Sequence, residues 1–197
     1  MLVAGLALFL SYLIGSIPFG LIVGKLWAKL DVREYGSGNI GTSNVLRTVG
    51  PMAAALVLIL DVAKGALAVY LGTLAGGELV RILAGVAAIA GHNWPVYLRF
   101  RGGKGIATSL GAVVALTPGI ALILLGLWII IVSATRYISL ASLAAALLFP
   151  VFLVVTKASK TYIVMGVFIS LFAFYRHRSN IQRLLAGTEN KIGQKAK

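Results

Sequence analysis

Long apolar stretches alternate with short polar ones along the chain. The apolar stretches cover residues 2–24, 51–75, 79–98, 105–133, 138–156 and 161–175. Several of them reach the roughly 20 residues that a helix needs to cross a bilayer. The stretch 105–133 is too long for one span and has a turn signal, Thr117-Pro118-Gly119, at its middle. The pattern therefore predicts an all-α polytopic membrane protein.

Composition excludes a soluble globular domain. Hydrophobic residues make up 59% of the 197 residues and charged residues 12%, and the mean hydropathy is +0.97, far from the soluble average. Without cysteine, the chain has neither a disulfide framework nor a thiolate metal site. The first apolar stretch lacks a basic flank and a small-residue cleavage site, so it is predicted to be a retained span. We expect a single membrane-embedded domain over residues 1–197.

The positions of lysine and arginine predict the orientation. If 105–133 forms two helices, the chain has seven spans, with 14 basic residues on one side and three on the other. If it forms one helix, the split becomes nine against eight, so the positive-inside rule favours seven. The N-terminus is then outside and the C-terminus in the cytoplasm. The cytoplasmic side carries Lys25, Lys29, Arg33, Arg47, Arg99, Arg101, Lys104, Arg136, Arg176, Arg178, Arg183, Lys191, Lys195 and Lys197.

Polar residues collect in three clusters on the predicted cytoplasmic side, and the first is 34-EYGSGNIGTSNVLRTVG-50. Its glycines let the backbone turn tightly and point successive N–H groups into one hollow, and Thr42 or Ser43 is expected to cap a helix that follows. Amides, hydroxyls and a guanidinium together predict a phosphate or carboxylate cradle. The alternative is a flexible loop whose arginine binds lipid headgroups. The candidate residues are Gly36, Ser37, Gly38, Asn39, Gly41, Thr42, Ser43, Asn44 and Arg47.

The second cluster is 91-GHNWPVYLRFRGGKGIATSLG-111, in which Gly102, Gly103 and Gly105 surround Lys104. It lacks the first glycine of a P-loop and no strand precedes it, which excludes a nucleotide triphosphatase. A second glycine loop on the same predicted face indicates a second anion site. The alternative is a basic turn that rests on anionic lipid.

The third cluster is 175-YRHRSNIQRLLAGTENKIG-193. His177 and Asn180 are three residues apart and so share a helical face. An unperturbed histidine has a pKa of about 6.5 and can give or take a proton near neutrality. The alternative is a solvated histidine at the membrane interface. For Glu189 we expect a structural ion pair with a neighbouring basic residue.

Further polar residues lie within the predicted spans. Asp61 and Lys64 are three apart, and an ion pair that orients helices is favoured over a functional role. Ser139 is expected to cap the sixth span, while Ser142 is expected to face inward. The five acidic residues offer no pairing for two metal ions, so metal catalysis is not expected.

One common acylation motif is missing. Neither His92 nor His177 is followed five positions later by aspartate, since those positions hold Tyr97 and Gln182. The His-x4-Asp signature of the common glycerolipid acyltransferases is therefore absent.

In their order and spacing, the three clusters resemble those of the bacterial integral-membrane acyl-phosphate:glycerol-3-phosphate acyltransferases. The segments DVAKG (61–65) and RYISLAS (136–142) also resemble segments of that family. The resemblance implies seven membrane helices and an active site toward the cytosol. It implies transfer of a fatty acyl group from acyl phosphate to the sn-1 hydroxyl of glycerol 3-phosphate, which gives lysophosphatidic acid and inorganic phosphate. No cofactor is implied.

The resemblance also implies roles for particular residues. Ser37 and Arg47 are required. From the glycine spacing and the polar run before a helix, we also predict that their loop binds the phosphate of acyl phosphate. His177 and Asn180 are required, and Glu189 supports structure. The glycine-rich second motif is implied to bind glycerol 3-phosphate, here through Gly102, Gly103, Lys104 and Gly105. We expect Ser142, His177 and Asn180 to bind the same substrate.

The implied partners are the two substrates and the lipid bilayer, with no nucleic acid, in the cytoplasmic membrane. Functional coupling to the enzyme that makes acyl phosphate is left open. The proton acceptor is also open between His177 and the phosphate of the donor. A competing class is a small anion transporter or lipid-binding membrane protein, for which Asp61 and Lys64 would supply a polar path.

Overall fold

The computed structural model describes residues 1–194. Within that range the chain forms helices and no strand, so the predicted all-α class is confirmed. Lys195 and Lys197, which the charge count includes, lie outside the described residues. The helices group into two compact units, an N-terminal unit of Met1–Ala115 and a C-terminal unit of Leu116–Gln194.

The N-terminal unit contains six α-helices. Pro18 separates the first two because it lacks an N–H and disfavours helical backbone at Ile17, which is extended. A 3-10 turn, Val96–Leu98, follows the fifth helix. The helices are α1 Leu2–Ser16, α2 Phe19–Ala28, α3 Thr42–Thr48, α4 Pro51–Ala75, α5 Glu78–Asn93 and α6 Ile106–Leu116.

Glycines bring the helices of this unit close together. A Cβ on Gly15 of α1 would overlap the backbone of Ala88 in α5, and one on Gly65 of α4 would overlap the carbonyl of Thr108 in α6. Small residues at such crossings let backbones approach, which is the usual packing of helices in membranes. The first polar cluster is fixed by a separate apolar core, in which Val32 and Ile40 lie buried beside the start of α4.

The C-terminal unit contains α7 Pro118–Thr135, α8 Ile138–Val155, α9 Lys160–Arg176 and α10 Arg178–Leu185. Helix α8 packs against both α7 and α9. The turn between α7 and α8 also holds Ile192, since Arg136 Nη2 donates to the Ile192 carbonyl at 2.6 Å and Ile192 N donates to the Arg136 carbonyl at 2.9 Å. The segment from the end of α10 to Ile192 is therefore tied back to the turn before α8.

The predicted break in 105–133 is confirmed. Helix α6 ends at Leu116 and α7 begins at Pro118, which occupies the first helical turn where its missing N–H costs nothing. Among the described residues, five segments are long and apolar enough to span a membrane. They are Leu2–Ala28, Pro51–Ala75, Glu78–Leu98, Pro118–Thr135 and Ile138–Val155. The number of seven spans and the orientation of the termini stay predictions.

Candidate functional site

The first cluster is organised by the side chain of Asn44, which is 1% exposed. Its Oδ1 accepts hydrogen bonds from the amide of Ser37 at 2.8 Å and from Ser37 Oγ at 3.1 Å. Its Nδ2 donates to the carbonyls of Val32 at 2.7 Å and Tyr35 at 3.2 Å. Asn44 thus connects the loop before α3 to the first turn of that helix. Its side-chain oxygen and nitrogen both form hydrogen bonds with residues of that loop.

The glycines of this loop turn the backbone as predicted. Gly36 and Gly38 have φ of 60° and 66°, the left-handed region that glycine adopts without strain. The amide of Gly38 donates to the Tyr35 carbonyl and that of Gly41 to Asn39 Oδ1. Together with the amide of Ser37, three amides are therefore engaged within the loop. For these three, the expectation that successive N–H groups point into one hollow is wrong.

The expected cap of α3 is also wrong. Gly41 occupies the N-cap position and no side chain caps the helix. The carbonyl of Gly41 instead accepts the amides of Asn44 at 3.0 Å and Val45 at 3.2 Å. Thr42 Oγ1 is buried and has no hydrogen-bond partner within residues 1–194. Arg47 lies half-buried in the last turn of the helix.

The second cluster lies directly on the C-terminal end of α5. The amide of Gly103 donates to the His92 carbonyl at 3.0 Å. A Cβ on Gly102 would overlap that same carbonyl, and a Cβ on Gly103 would overlap His92 Nε2. Gly105 has φ of 80°, and a Cβ there would be 2.7 Å from Asn93 Oδ1. The three glycines are thus needed for close packing, and Lys104 lies between them, partly exposed.

A buried ion pair lies beside this loop. Lys64 Nζ is 2.7 Å from Asp61 Oδ1, so the predicted pairing within α4 is present. Lys64 also contacts His92 Nδ1 at 3.0 Å and donates to the Ile17 carbonyl at 2.9 Å. Sequence reasoning missed His92 because His177 looked the more reactive histidine. The available signal was the position of His92 inside the second glycine motif.

The third cluster is centred on the carboxylate of Glu189. Its Oε1 accepts from Ser139 Oγ at 2.8 Å and from Asn180 Nδ2 at 2.6 Å, and its Oε2 accepts from Arg183 Nε at 2.7 Å. The expected ion pair with a basic neighbour is therefore present. The expected capping role of Ser139 is wrong, because Tyr137 holds the N-cap position of α8 and Ser139 donates to Glu189.

Electrostatics favour the ionised form of Glu189. Burial raises the pKa of this carboxyl, but the hydrogen bonds from Asn180, Ser139 and Arg183 outweigh burial and hold the pKa below its usual value. A charged Glu189 therefore joins the start of α8, helix α10 and the chain after α10.

His177 lies at the junction of α9 and α10 and is buried, so the alternative of a solvated histidine is wrong. Its Nδ1 is 2.8 Å from the Ala173 carbonyl. A carbonyl only accepts, so Nδ1 carries the hydrogen, and in the neutral ring Nε2 is the basic nitrogen. Asn180 is also buried, and its Oδ1 has no hydrogen-bond partner in the described part of the chain.

Ser142 faces inward, as predicted. It is buried in α8, where its hydroxyl donates to the Ile138 carbonyl at 2.8 Å and accepts from Trp128 Nε1 at 3.2 Å. Across residues 1–194, no group of three or more His, Cys, Asp or Glu side chains is placed to hold a metal ion.

Comparisons with known proteins all lead to the same family. A family model described as glycerol-3-phosphate acyltransferase matches residues 5–187. A glycerol-3-phosphate acyltransferase of Synechococcus sp. (strain CC9902) is 47% identical over 193 residues, which cover 98% of this chain and 96% of that one. One of Thermoanaerobacter pseudethanolicus is 45% identical over 192 residues, covering 98% of this chain and 97% of that one.

A solved structure is also similar over most of the chain. It is the glycerol 3-phosphate form of PlsY (YgiH), an integral membrane glycerol 3-phosphate acyltransferase, and it has a TM-score of 0.92 and 39% identity over 96% of both chains. This similarity confirms the membrane fold.

Proposed function

The chain belongs to the glycerol-3-phosphate acyltransferase family, and we propose that it transfers a fatty acyl group from acyl phosphate to the sn-1 hydroxyl of glycerol 3-phosphate. The products are lysophosphatidic acid and inorganic phosphate, which makes this the first acylation of phospholipid synthesis. The similarity to the glycerol 3-phosphate form of PlsY over 96% of the chain carries the proposal. It supports the acceptor and the reaction class.

The acyl-phosphate donor is supported by the chemistry of the first cluster. A mixed acyl–phosphoric anhydride is already activated and has phosphate as a good leaving group, so alignment and charge stabilisation are sufficient. Ser37 is not arranged as a nucleophile, since its hydroxyl donates to the amide oxygen of Asn44, which is no general base. We assign Arg47 as counter-charge to the donor phosphate, with the first-turn amides of Thr42 and Ser43 as further donors.

The acceptor is assigned to the glycine-rich loop of the second cluster. Lys104 supplies the cation for the phosphate of glycerol 3-phosphate, and the adjacent glycines allow backbone to approach it closely. Ser142 and Asn180 are assigned to the same substrate. Two phosphate-bearing substrates also agree with the net charge of +13.

The donor phosphate, not His177, is proposed to take the hydroxyl proton. In the step, the sn-1 oxygen forms a bond to the acyl carbonyl carbon, the carbon–phosphate oxygen bond breaks, and the departing phosphate accepts the proton. A histidine that works as a strong base usually has a carboxylate at Nδ1, whereas His177 Nδ1 faces the carbonyl of Ala173. The carboxylate of Glu189 is engaged by Ser139, Asn180 and Arg183. We therefore assign His177 to positioning glycerol 3-phosphate.

The remaining parts of the proposal concern the membrane topology and the functional coupling of the protein. We propose a single membrane domain with seven spans, an outer N-terminus, and its catalytic residues toward the cytoplasm. The charge distribution supports this topology, and the helix break at Pro118 supports counting two helices in 105–133. Functional coupling to the enzyme that makes acyl phosphate is part of the proposal, because such anhydrides are reactive toward water.

Donor replacement tests the proposed reaction. Purified protein supplied with glycerol 3-phosphate should form lysophosphatidic acid and phosphate from acyl phosphate, and none from acyl-CoA or acyl carrier protein. Product from the thioesters alone would contradict the donor assignment. Movement of glycerol 3-phosphate into vesicles without any acylation would favour the transporter. The structure gives that rival little support, because Lys64 is already held by Asp61, His92 and Ile17.

A further inference from the structure

A buried charge cluster of Asp61, Lys64 and His92 lies against the glycine-rich loop, and the proposed reaction does not use it. The three residues are 1%, 3% and 4% exposed, respectively. A buried ion pair is weak evidence for stability, because apolar residues of similar size are often equally stable in its place. Ionisable groups inside a membrane segment are costly and usually serve a function. Stability alone therefore does not explain why these three residues are buried together, and a functional role is expected.

Lys64 determines the hydrogen-bonding state of His92. Its ammonium group has three N–H donors and no lone pair. The nitrogen lies 2.7 Å from Asp61 Oδ1, which makes an ion pair, and it forms hydrogen bonds with the Ile17 carbonyl at 2.9 Å and with His92 Nδ1 at 3.0 Å. His92 Nδ1 must then accept, so the hydrogen of the neutral imidazole is on Nε2. Asp61 Oδ1 is 3.6 Å from Nδ1, too far for a hydrogen bond, and acts by holding Lys64.

The opposite edge of the imidazole lies against the loop. A Cβ placed on Gly103 would overlap Nε2, so only a glycine fits over this edge of the ring. The amide of Gly103 donates to the backbone carbonyl of the same histidine at 3.0 Å. The loop thus contacts both the side chain and the main chain of His92. A change in the orientation of the ring would therefore change its contact with Gly103.

We infer that Asp61 and Lys64 are positioning residues that hold the His92 ring in one tautomer and orientation, and that this ring fixes residues 102–105 in the shape that binds the phosphate of glycerol 3-phosphate. The inference rests on the proposed function for the identity of that ligand. It differs from a purely structural role, in which Lys64 would serve to satisfy the Ile17 carbonyl at the break before Pro18.

The double variant Asp61→Leu/Lys64→Met tests the inference, because it removes both charges and leaves none buried without a partner. The KM for glycerol 3-phosphate should rise about tenfold while the KM for acyl phosphate stays within about twofold. The control is Glu78→Gln/Arg81→Met, which removes a half-exposed pair with the same three-residue spacing on α5, 4.0 Å apart. It should change neither constant. A folded Asp61→Leu/Lys64→Met protein with both constants unchanged overturns the inference.

His92→Asn provides the same test if the double variant does not fold. It keeps the Asp61–Lys64 pair and places an amide oxygen near the position of Nδ1, but it removes the ring edge from Gly103. The KM for glycerol 3-phosphate should again rise while the KM for acyl phosphate stays unchanged. An unchanged KM in folded His92→Asn contradicts the role of the ring.

Hydrogen exchange separates this inference from the proposed function. Without substrates, the Gly103 amide should exchange about tenfold faster in His92→Asn and in the double variant than in the parent protein. If the parent protein does not acylate glycerol 3-phosphate, the proposed function fails and the exchange rate still decides whether His92 holds the loop. Equal exchange rates in folded variants would show that it does not.

Discussion

Asn180 donates a hydrogen bond of 2.6 Å to Glu189 through Nδ2. A residue assigned to the substrate is therefore held by a residue expected to be structural. This bond leaves Asn180 Oδ1 buried without a hydrogen-bond partner among residues 1–194. A buried polar atom without a partner is costly, and we assign it to a substrate hydroxyl. The fixed orientation of Asn180 thus depends on the ionised carboxylate nine positions later.

Replacing that carboxylate should reduce both stability and turnover. Glu189→Gln removes the charge that accepts from Ser139, Asn180 and Arg183. The free energy of unfolding should fall by about 2 kcal/mol, as expected for hydrogen bonds to a charged group. Thermal unfolding in detergent and kcat measure the two effects. A Glu189→Gln protein with parental midpoint and turnover would show that Glu189 does not orient Asn180.

The depressed pKa of Glu189 predicts a stability loss in acid. The folded state lowers this pKa from its usual value of 4.5, so the unfolded state binds the proton more tightly. Stability from this group is therefore present above pH 4.5 and is lost as the pH falls through the lower, folded-state pKa. The unfolding midpoint measured from pH 7 to pH 3 should show this step, and the step should be absent in Glu189→Gln. An identical pH dependence in both proteins would contradict the assignment.

The local sequence pattern predicted most of the helices, but it predicted few of the side-chain contacts within the three polar clusters. Apolar runs and the Pro118 signal are properties of neighbouring residues, and they predicted the helices and the break after Leu116. The Asp61–Lys64 pair was predictable because three residues separate its partners on one helix face. The contact of Lys64 with His92 was not, since 28 positions separate the two residues and only helix packing brings them together.

The errors at the helix caps have the same origin. Ser139 has the right chemistry for a cap, but Glu189, 50 positions away, accepts its hydroxyl hydrogen. Ser and Thr side chains bond to whichever acceptor the tertiary structure supplies. At α3, Gly41 takes the cap position, and Asn44 bonds to the preceding loop. The sequence shows which side chains can donate or accept hydrogen bonds, whereas tertiary packing determines which of them pair.

Arg47 should be needed for activity with the geometry of its guanidinium intact. Arg47→Ala should lose most activity, because the donor phosphate loses its counter-charge. Arg47→Lys should not restore it, since an ammonium cannot make the paired hydrogen bonds that a guanidinium makes to phosphate. Initial rates at saturating glycerol 3-phosphate and varied acyl phosphate provide the measurement. Parental turnover in both variants would remove Arg47 from the donor site.

A methyl group on Gly103 should weaken acceptor binding. Its Cβ would overlap His92 Nε2, so either the loop or the ring must move. Gly103→Ala should raise the KM for glycerol 3-phosphate about tenfold and leave the KM for acyl phosphate within about twofold. Gly126→Ala is the matched control, because a Cβ there would meet nothing within 4 Å. Equal effects on the two constants in Gly103→Ala would show that the loop is not specific for the acceptor.

The proton acceptor can be identified from the pH dependence of kcat. His177→Ala should lower activity strongly, because the ring that positions glycerol 3-phosphate is lost. If the donor phosphate takes the proton, the acidic limb of kcat reports the second ionisation of that phosphate, which belongs to the substrate and not to the protein. The limb should then persist in His177→Ala at reduced amplitude. A general base at His177 Nε2 would instead produce an acidic limb that disappears when the side chain is removed. That result would identify His177 as the proton acceptor.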